Sequence, residues 1–440
     1  MKYDYSDKLI TTQQALDMVQ DGYDIATGLG PSTARDFFGQ LHTIADRIEH
    51  VDVEITLILD AFPYLTDPKC KGKFRSEGFF LTPPLRGGVA TNGNVYYVPT
   101  HLSACSKNRL YYRHPDMYVG AASMPDENGN ISLSLSNCHE MQFLNASRIK
   151  ILEINPNMPF LHGDHIVNIR DIDYVIESDY LPPVSADAPS NEKDRIIGKL
   201  IADQIHDGDT IQLGIGGIPN AVSDALYGKK HLGVHTELFT TGMMKLMKAG
   251  VIDNTMKTLH NGKIETVFVM GTEELYQFVR DNPDIVEVRD AAYTNNPYVI
   301  AQNDNMVSIN TTIEVDITGQ CCSESIGGRL FSGTGGQADT ARGAQLAKGG
   351  RSFIALYSTA MVKNKNGERE EISKIVSCLK PGAGVSLQRN DADYIVTEYG
   401  IAHLKGASIK DRVEKLIAIA HPKYREQLRR EAFEYGIITE

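Results

Sequence analysis

Short, almost unbroken apolar runs recur along the chain, each closed by turn residues: VEITLILDA from Val53 to Ala61, IKILEINP from Ile149 to Pro156, ETVFVMG from Glu265 to Gly271 and SFIALYS from Ser352 to Ser358. Runs of this length, rich in Val and Ile and lacking polar alternation, predict strands of a sheet buried on both faces. Amphipathic stretches of helical period lie between them, so the pattern predicts an open α/β architecture. The segment DYLPPVSADAPSNEKD, Asp179 to Asp194, carries prolines and no apolar period, and predicts a linker. The boundary is therefore placed near residue 185, giving an N-terminal α/β domain over 1–185 and a C-terminal one over 186–440.

The two halves echo one another. QDGYDIATGLG from Gln20 resembles HDGDTIQLGIG from His206, with Asp21-Gly22 on Asp207-Gly208 at an offset of 207 − 21 = 186. NGNVYYV from Asn92 resembles NDNMVSI from Asn303 at 303 − 92 = 211, and DIDYVIES from Asp171 resembles DADYIVTE from Asp391 at 391 − 171 = 220. Rising offsets in constant order predict a duplication with insertions in the second copy. Each copy opens with a helix, an Asp-Gly turn, a short strand, a glycine turn and a second helix. Two pseudo-equivalent open sheets predict a site in the cleft between halves, where strands end and helices begin.

The second glycine turn is the fuller one. In IQLGIGGIPNAVSDAL a strand ends near Leu213, Gly214-Ile215-Gly216-Gly217 form the loop, and Pro219 lies close to the first position of a helix. Glycines let backbone approach a ligand, and free amides at a helix start favour an anion or a developing oxyanion. A tight turn serving backbone geometry alone fits the same residues. A dinucleotide fingerprint does not: the third glycine of G-x-G-x-x-G falls on Pro219, although Glu237 lies 237 − 216 = 21 residues beyond Gly216.

Composition narrows the classes. The 440 residues are 42% hydrophobic and 23% charged, an ordinary globular balance with length for two domains. No apolar run approaches the ~20 residues of a membrane span, and the first residues lack the apolar core of a secretion signal, so a cytoplasmic location is expected. A net charge of −12 argues against nucleic acid as a partner. The six cysteines form no C-x-x-C pair and no zinc-finger spacing, and read as reduced thiols. HGDH, His162 to His165, is the best metal candidate, but it lacks i, i+4 spacing and reads as structural polar contacts; no metal is expected.

GVHTELFTTG, Gly233 to Gly242, sets Glu237 among apolar residues after a predicted strand. Glu237 is either a capping or salt-bridge residue or a reacting group. A glutamate is ionised at neutral pH and needs no separate base to attack an activated acyl group such as a thioester. The anhydride that results is reopened by the departing thiolate, provided that donors hold the oxyanion and water is excluded.

Six segments, GIGGIPNAV, GVHTELFTTG, NNPYVIAQNDNMVSIN, CSESIG, SGTGGQADTARGA and DYIVTEYGIAHLKG, together resemble the acetyl-CoA hydrolase/transferase family, and within it the 4-hydroxybutyrate and butyryl-CoA:acetate CoA-transferases. The resemblance covers nearly the whole chain and is densest from Ile211 to Gly406. It implies two α/β domains of similar fold and a class I CoA-transferase working through a glutamyl-CoA thioester. His235-Thr236-Glu237 matches the family's catalytic stretch, which puts the adduct on Glu237. The family's CoA and oxyanion loops fall on Gly214, Ile215, Gly216, Gly217 and Ile218, and on Gly333, Gly335 and Gly336 within Ser332–Gly336. Gln212 and Asn137 resemble groups that hold the substrate carboxylate; buried amides satisfying backbone are the alternative. CoA is then a substrate, no bound cofactor is required, the partners are acyl-CoA and short carboxylates, and a homodimer or homotetramer is expected. The turn TGLGPST, with Leu29 and Pro31 where relatives of the 4-hydroxybutyrate type carry a histidine, and LFTTG after Glu237, which lacks an acidic residue common there in relatives, depart from the pattern and bear on which acyl group is used.

Two rivals use the same residues: hydrolysis of acyl-CoA, and a non-catalytic CoA-binding module in which Glu237 only makes hydrogen bonds. Glu398 in VTEYG and Glu324 in CCSESIGG are further acidic candidates with structural alternatives, vicinal Cys321-Cys322 reads as packing, and Arg342 and Lys374 are the basic residues best placed to meet CoA phosphates or a carboxylate if they are not simply solvated. The mixed-charge run from Lys363 to Glu371 reads as a solvated hairpin or loop.

Overall fold

A strand of three residues, Asp24–Ala26, lies inside a sheet of seven parallel strands, in the order Tyr174–Glu177, Ile149–Ile154, Met117–Ala122, Asp24–Ala26, Val51–Glu54, Phe74–Gly78 and Val95–Tyr97. The computed structural model describes residues 3–185, 189–364 and 366–439. Residues 186–188 of the expected linker and Lys365 of the mixed-charge run therefore lie outside the described residues. Parallel neighbours cannot be joined by hairpins, and the helices between strands are the crossovers this pairing demands. Alternate residues enter two different cores: Ile25, Val53 and Ile151 pack on one face with Phe37 and Phe38, while Ala26, Tyr118 and Leu152 pack on the other with Phe143 and Val175. Both faces are buried, as the unbroken apolar runs predict.

By packing, the chain divides into two units that are not contiguous in sequence. The first comprises Met1–Ala186, Glu237–Thr241 and Lys263–Asn295; the second comprises Asp187–Thr236, Gly242–Gly262 and Asn296–Glu440. Besides its seven-stranded sheet, the first unit holds the parallel strands Ile264–Val269, Val286–Val288 and His162–Gly163. In the second unit the strand order is Gly400–His403, Tyr394–Thr397, Arg351–Ala355, Met306–Thr311, Thr210–Leu213 and the start of Gly233–Phe239, parallel except for the first pair. Val315, Ile354, Ile395, Leu416 and Ile417 build its core.

The duplication is visible in backbone detail. Asp21 accepts from the amides of Glu49 and His50, and Gly22, at φ 79°, donates to the His50 carbonyl. In the second unit Asp207 accepts from the Lys230 amide, and Gly208, at φ 80°, donates to the Lys230 carbonyl. DIDYVIES and DADYIVTE likewise land on equivalent strands, each three places from the strand that follows its unit's Asp-Gly turn. The middle echo does not. NGNVYYV supplies the edge strand Val95–Tyr97, whereas NDNMVSI supplies Met306–Thr311, whose topological counterpart is Met117–Ala122.

Several strands are shorter than their apolar runs. VEITLILDA pairs only to Glu54, because Leu57 takes φ 56° and turns the backbone out of the ladder. Pro219 is the third residue of the helix Gly217–Ala225, still within the first turn, where an amide would have no helical acceptor. The mixed-charge run belongs to an antiparallel hairpin, Thr359–Lys363 against Arg369–Ser373.

Candidate active site

The strand Gly233–Phe239 is built from β-forming Val, His, Thr and Phe, and every residue on it but one is buried. The exception is Glu237, half-buried between Thr236 and Leu238. Its carboxylate lies in the first unit, where Asn295 Nδ2 donates to Oε2 at 3.3 Å and Thr266 Oγ1 donates to its main-chain carbonyl at 3.1 Å. Asn295 is fully buried and caps the short helix Ala291–Thr294, its backbone N–H bonded to the Ala291 carbonyl at 3.0 Å. The amide that meets the carboxylate is thus fixed at both its backbone and its surroundings. Sequence reading did not single it out, although it stands at the head of the NNPYVIAQNDNMVSIN segment.

Asn137 belongs to the same unit and is fully buried. Its backbone N–H donates to the Val267 carbonyl at 2.9 Å, its Nδ2 donates to Asp164 Oδ1 at 2.5 Å, and its Oδ1 accepts from the Met141 amide at 3.3 Å. Asp164 also accepts from the Asp290 amide at 3.0 Å. Burial raises Asp164 and Asp290 above the ordinary carboxylate range, against the hydrogen bonds that pull each down. These bonds account for HGDH as well. Asp164 is spent on Asn137, and His165 on the Ser134 carbonyl at 3.0 Å and Ser132 Oγ at 3.1 Å, with burial pushing its imidazole down to about 4.

In the second unit, Thr210–Leu213 runs into the first glycine loop beside Met306–Thr311, with Leu213 opposite Ile309. Gly214 spends its N–H on the Ile309 carbonyl at 2.9 Å, so this amide finishes the ladder and does not face a ligand. Beyond it the loop opens: Ile215 and Gly216 are exposed, Gly216 takes φ 118°, and Gly217 and Ile218 start the helix. A Cβ on Gly217 would come within 2.8 Å of Asp194 Oδ2, whose carboxylate closes the capping box of Glu192–Ala202 and accepts from Tyr357 at 2.6 Å. Packing alone therefore demands glycine at 217, whereas Gly216 is demanded by backbone angle.

The second glycine loop leads into Gln337–Leu346. Gly335 takes φ 52°, Gly333 and Gly336 are buried, and the approach is fixed by Phe331 and Ser332 amides on the Glu324 carbonyl at 2.8 and 3.0 Å. Both loops are tied to one polar network beneath them. Gln212 Oε1 accepts from Ser308 Oγ, the Ile309 amide and Asn310 Nδ2 at 3.0 to 3.2 Å, and Thr340, in the first turn after the second loop, accepts from Asn310 at 3.0 Å with its hydroxyl 3.1 Å from that of Ser308. Gln212 and the loop from Gly214 to Ile218 thus lie at the carboxyl end of Thr210–Leu213, and Gln337, the residue that follows the second loop, donates from Nε2 to the carbonyl of Thr311 at the end of the neighbouring strand at 2.7 Å. Glu398, by contrast, is engaged by Ser358 and Lys193 in a structural knot, and Glu324 by Ser386. Arg342 is exposed, and burial lowers the Lys374 ammonium.

This geometry offers one positioned carboxylate in the first unit and, in the second, two glycine loops that each lead into a helix, the first of them at the end of a central strand, the usual place for a ligand in an open α/β sheet. Among the described residues, no helix is long and apolar enough to cross a membrane. Comparison with known proteins agrees along the chain. A 4-hydroxybutyrate coenzyme A transferase of Clostridium kluyveri is 39% identical over 97% of both chains. The crystal structure of RipA from Yersinia pestis is 30% identical and superimposes with a TM-score of 0.89 over 99% of both chains. A 4-hydroxybutyrate CoA-transferase structure from Porphyromonas gingivalis is 33% identical, with a TM-score of 0.80 over 98% of both. The N-terminal domain of the acetyl-CoA hydrolase/transferase family matches residues 1–184 and its C-terminal domain matches residues 271–432, and the chain belongs to that family.

Proposed function

We propose that this chain is a CoA-transferase that moves CoA from a short-chain acyl-CoA, 4-hydroxybutyryl-CoA or butyryl-CoA, to acetate through a thioester on Glu237. The observation that carries the reading is the Glu237 carboxylate held by a buried amide at 3.3 Å on a strand otherwise closed to solvent. A carboxylate so fixed has little reorganisation left to undergo before attack.

The steps balance without a cofactor. One Glu237 oxygen attacks the acyl carbonyl, and CoA leaves as thiolate, giving an acyl-glutamyl anhydride. The thiolate attacks the glutamyl carbonyl, the acid departs as carboxylate, and the glutamyl-CoA thioester remains. Acetate attacks that thioester, and the released thiolate takes the acetyl group from the second anhydride, which restores Glu237. The ladder uses the Gly214 amide and stops there, so Ile215, Gly216, Gly217 and Ile218 with Gly333, Gly335 and Gly336 are assigned to CoA and the oxyanion, and Gln212 and Asn137 to positioning the carboxylate end of the substrate. Halves 1–185 and 186–440, a homodimer or homotetramer, and a cytoplasmic location belong to the same reading.

The test is chemical trapping. Protein incubated with butyryl-CoA and reduced with borohydride should yield a peptide in which Glu237 alone has become the alcohol, and acyl-CoA consumption should depend on added acetate. An unmodified Glu237 peptide from protein that binds CoA would leave only a binding module, and acetate-independent consumption would make the protein a hydrolase.

A further inference from the structure

Three ligand-type side chains that the reaction above does not use converge in the first unit. Cys105 begins the helix Cys105–Tyr112, and Cys138 and His139 precede the helix Glu140–Ala146. Their ligand atoms all lie within 4.8 Å of one another, and all three residues are at most 1% exposed. The separation of 33 residues between the cysteines hides the group from any spacing rule.

The distances suit a metal ion. The two sulfurs are 3.8 Å apart. Two zinc–thiolate bonds of ~2.3 Å at the tetrahedral angle span ~3.8 Å between sulfurs, so neither cysteine would have to move toward the other. The histidine is already set as a ligand. Its Nε2 donates to the Thr27 carbonyl at 3.0 Å, and the buried ring also hydrogen-bonds the Cys105 thiol, a contact that a shared metal ion would replace. A ligating imidazole is ordinarily oriented in this way, by a carbonyl on its far nitrogen. The ring cannot swing out: it packs 4.5 Å from Phe143 and 6.0 Å from Phe79, centroid to centroid, and its own backbone N–H is held by Glu140 at 2.8 Å.

We infer that Cys105, Cys138 and His139 form a buried binding site for one divalent d10 cation, zinc or cadmium in class, with two thiolates and one imidazole as ligands. Two thiolates and a divalent ion sum to zero charge, which is the condition for holding them in an apolar core. Softness of the donors selects this class over magnesium or calcium. Carbonyl and carboxylate oxygens that a hard cation needs are absent from the three donors. Binding releases the two thiol protons to solvent.

The experiment uses the full chain, stripped with chelator under reducing conditions and then titrated with cadmium or zinc. The expected result is one equivalent per chain, a thiolate-to-cadmium absorption band, and an X-ray absorption spectrum of the zinc form fitted by two sulfurs and one imidazole nitrogen. In Cys105→Ser and in Cys138→Ser, affinity should fall by more than about tenfold, with Cys378→Ser, which alters an exposed thiol, unchanged. The wild-type spectrum alone decides the matter if a serine variant fails to fold. A metal shell without sulfur, an equivalent still bound tightly in both serine variants, no binding at all, or a Cys105–Cys138 disulfide in protein purified under reducing conditions would each overturn the site.

Discussion

Asn295 Nδ2 donates to Glu237 Oε2 at 3.3 Å, and Thr266 Oγ1 donates to the carbonyl of the same glutamate at 3.1 Å. One bond aims the side chain and the other pins the strand that carries it. Asn295→Ala removes the aim and leaves the strand, so CoA affinity should hold while turnover falls by about 10²-fold, the usual cost of a small misplacement of a reacting group. Steady-state exchange with CoA binding measured separately checks the split; a loss confined to CoA affinity would remove Asn295 from the carboxylate's support.

Glu237→Gln keeps size and a hydrogen-bonding end but cannot form an anhydride. CoA exchange should drop by several orders of magnitude with the thermal unfolding midpoint little changed, because the residue is half-exposed and closes no core. Exchange at close to the parental rate would mean that another group carries CoA.

Gln212 separates two roles that its sequence context leaves open. Its Oε1 accepts from three donors, Ser308, the Ile309 amide and Asn310, all beneath the glycine loops. Gln212→Leu strands buried donors, at a cost of ~1–3 kcal/mol for each group left unsatisfied. Chemical denaturation should therefore show clear destabilisation before any assay is run. A variant as stable as the parent but weak for the carboxylate substrate would mean that Gln212 acts on the substrate alone and supports nothing in the fold.

The two glycines of the first loop that follow Ile215 differ in what they tolerate. An added Cβ at Gly216 meets nothing within 4 Å, so Gly216→Ala suffers only from φ 118°, a strain of ~1–3 kcal/mol relieved by shifting the loop. Gly217→Ala meets Asp194 and disturbs the cap of a different helix. Expected outcomes are lost exchange with modest destabilisation for the first and mainly lost stability for the second, read by unfolding and exchange on the same preparations.

What could be read from sequence follows from how local the cause is. Apolar runs gave both sheets because burial on two faces leaves its mark in consecutive residues, and Asp21-Gly22 with Asp207-Gly208 betrayed the duplication because a left-handed turn admits few residues. Met306–Thr311 was matched to the wrong strand, since resemblance over seven residues says nothing of sheet order. Glu237 stood out by its neighbours, but Asn295 did not: its partner is 58 positions away, and only the fold brings an asparagine of no distinctive spacing to a carboxylate. The same holds for Cys105 with Cys138 and His139. Strand ends such as Glu54 were illegible because one left-handed leucine, Leu57, overrides an apolar run.

His165 gives the fold a pH dependence with a definite sign. Its imidazole is buried and falls to about 4 from the ordinary 6.5, with burial the dominant cause and the Ser134 carbonyl opposing it. Between these values the unfolded chain holds a proton that the folded chain excludes, so stability is full above about 6.5 and is lost as pH falls toward 4. The whole shift corresponds to a loss on the order of 3 kcal/mol. His165→Gln carries no titrating group. It should be less stable than the parent at neutral pH, through lost packing and hydrogen bonds to Ser134 and Ser132, and the gap should narrow steadily as pH is lowered from 6.5 to 4. Carboxylates that titrate in the same range affect both proteins alike and cancel in the difference. Denaturation midpoints measured in parallel across that range decide it, and a gap that stays constant would mean that the folded protein accepts the proton on His165 as readily as the unfolded chain does.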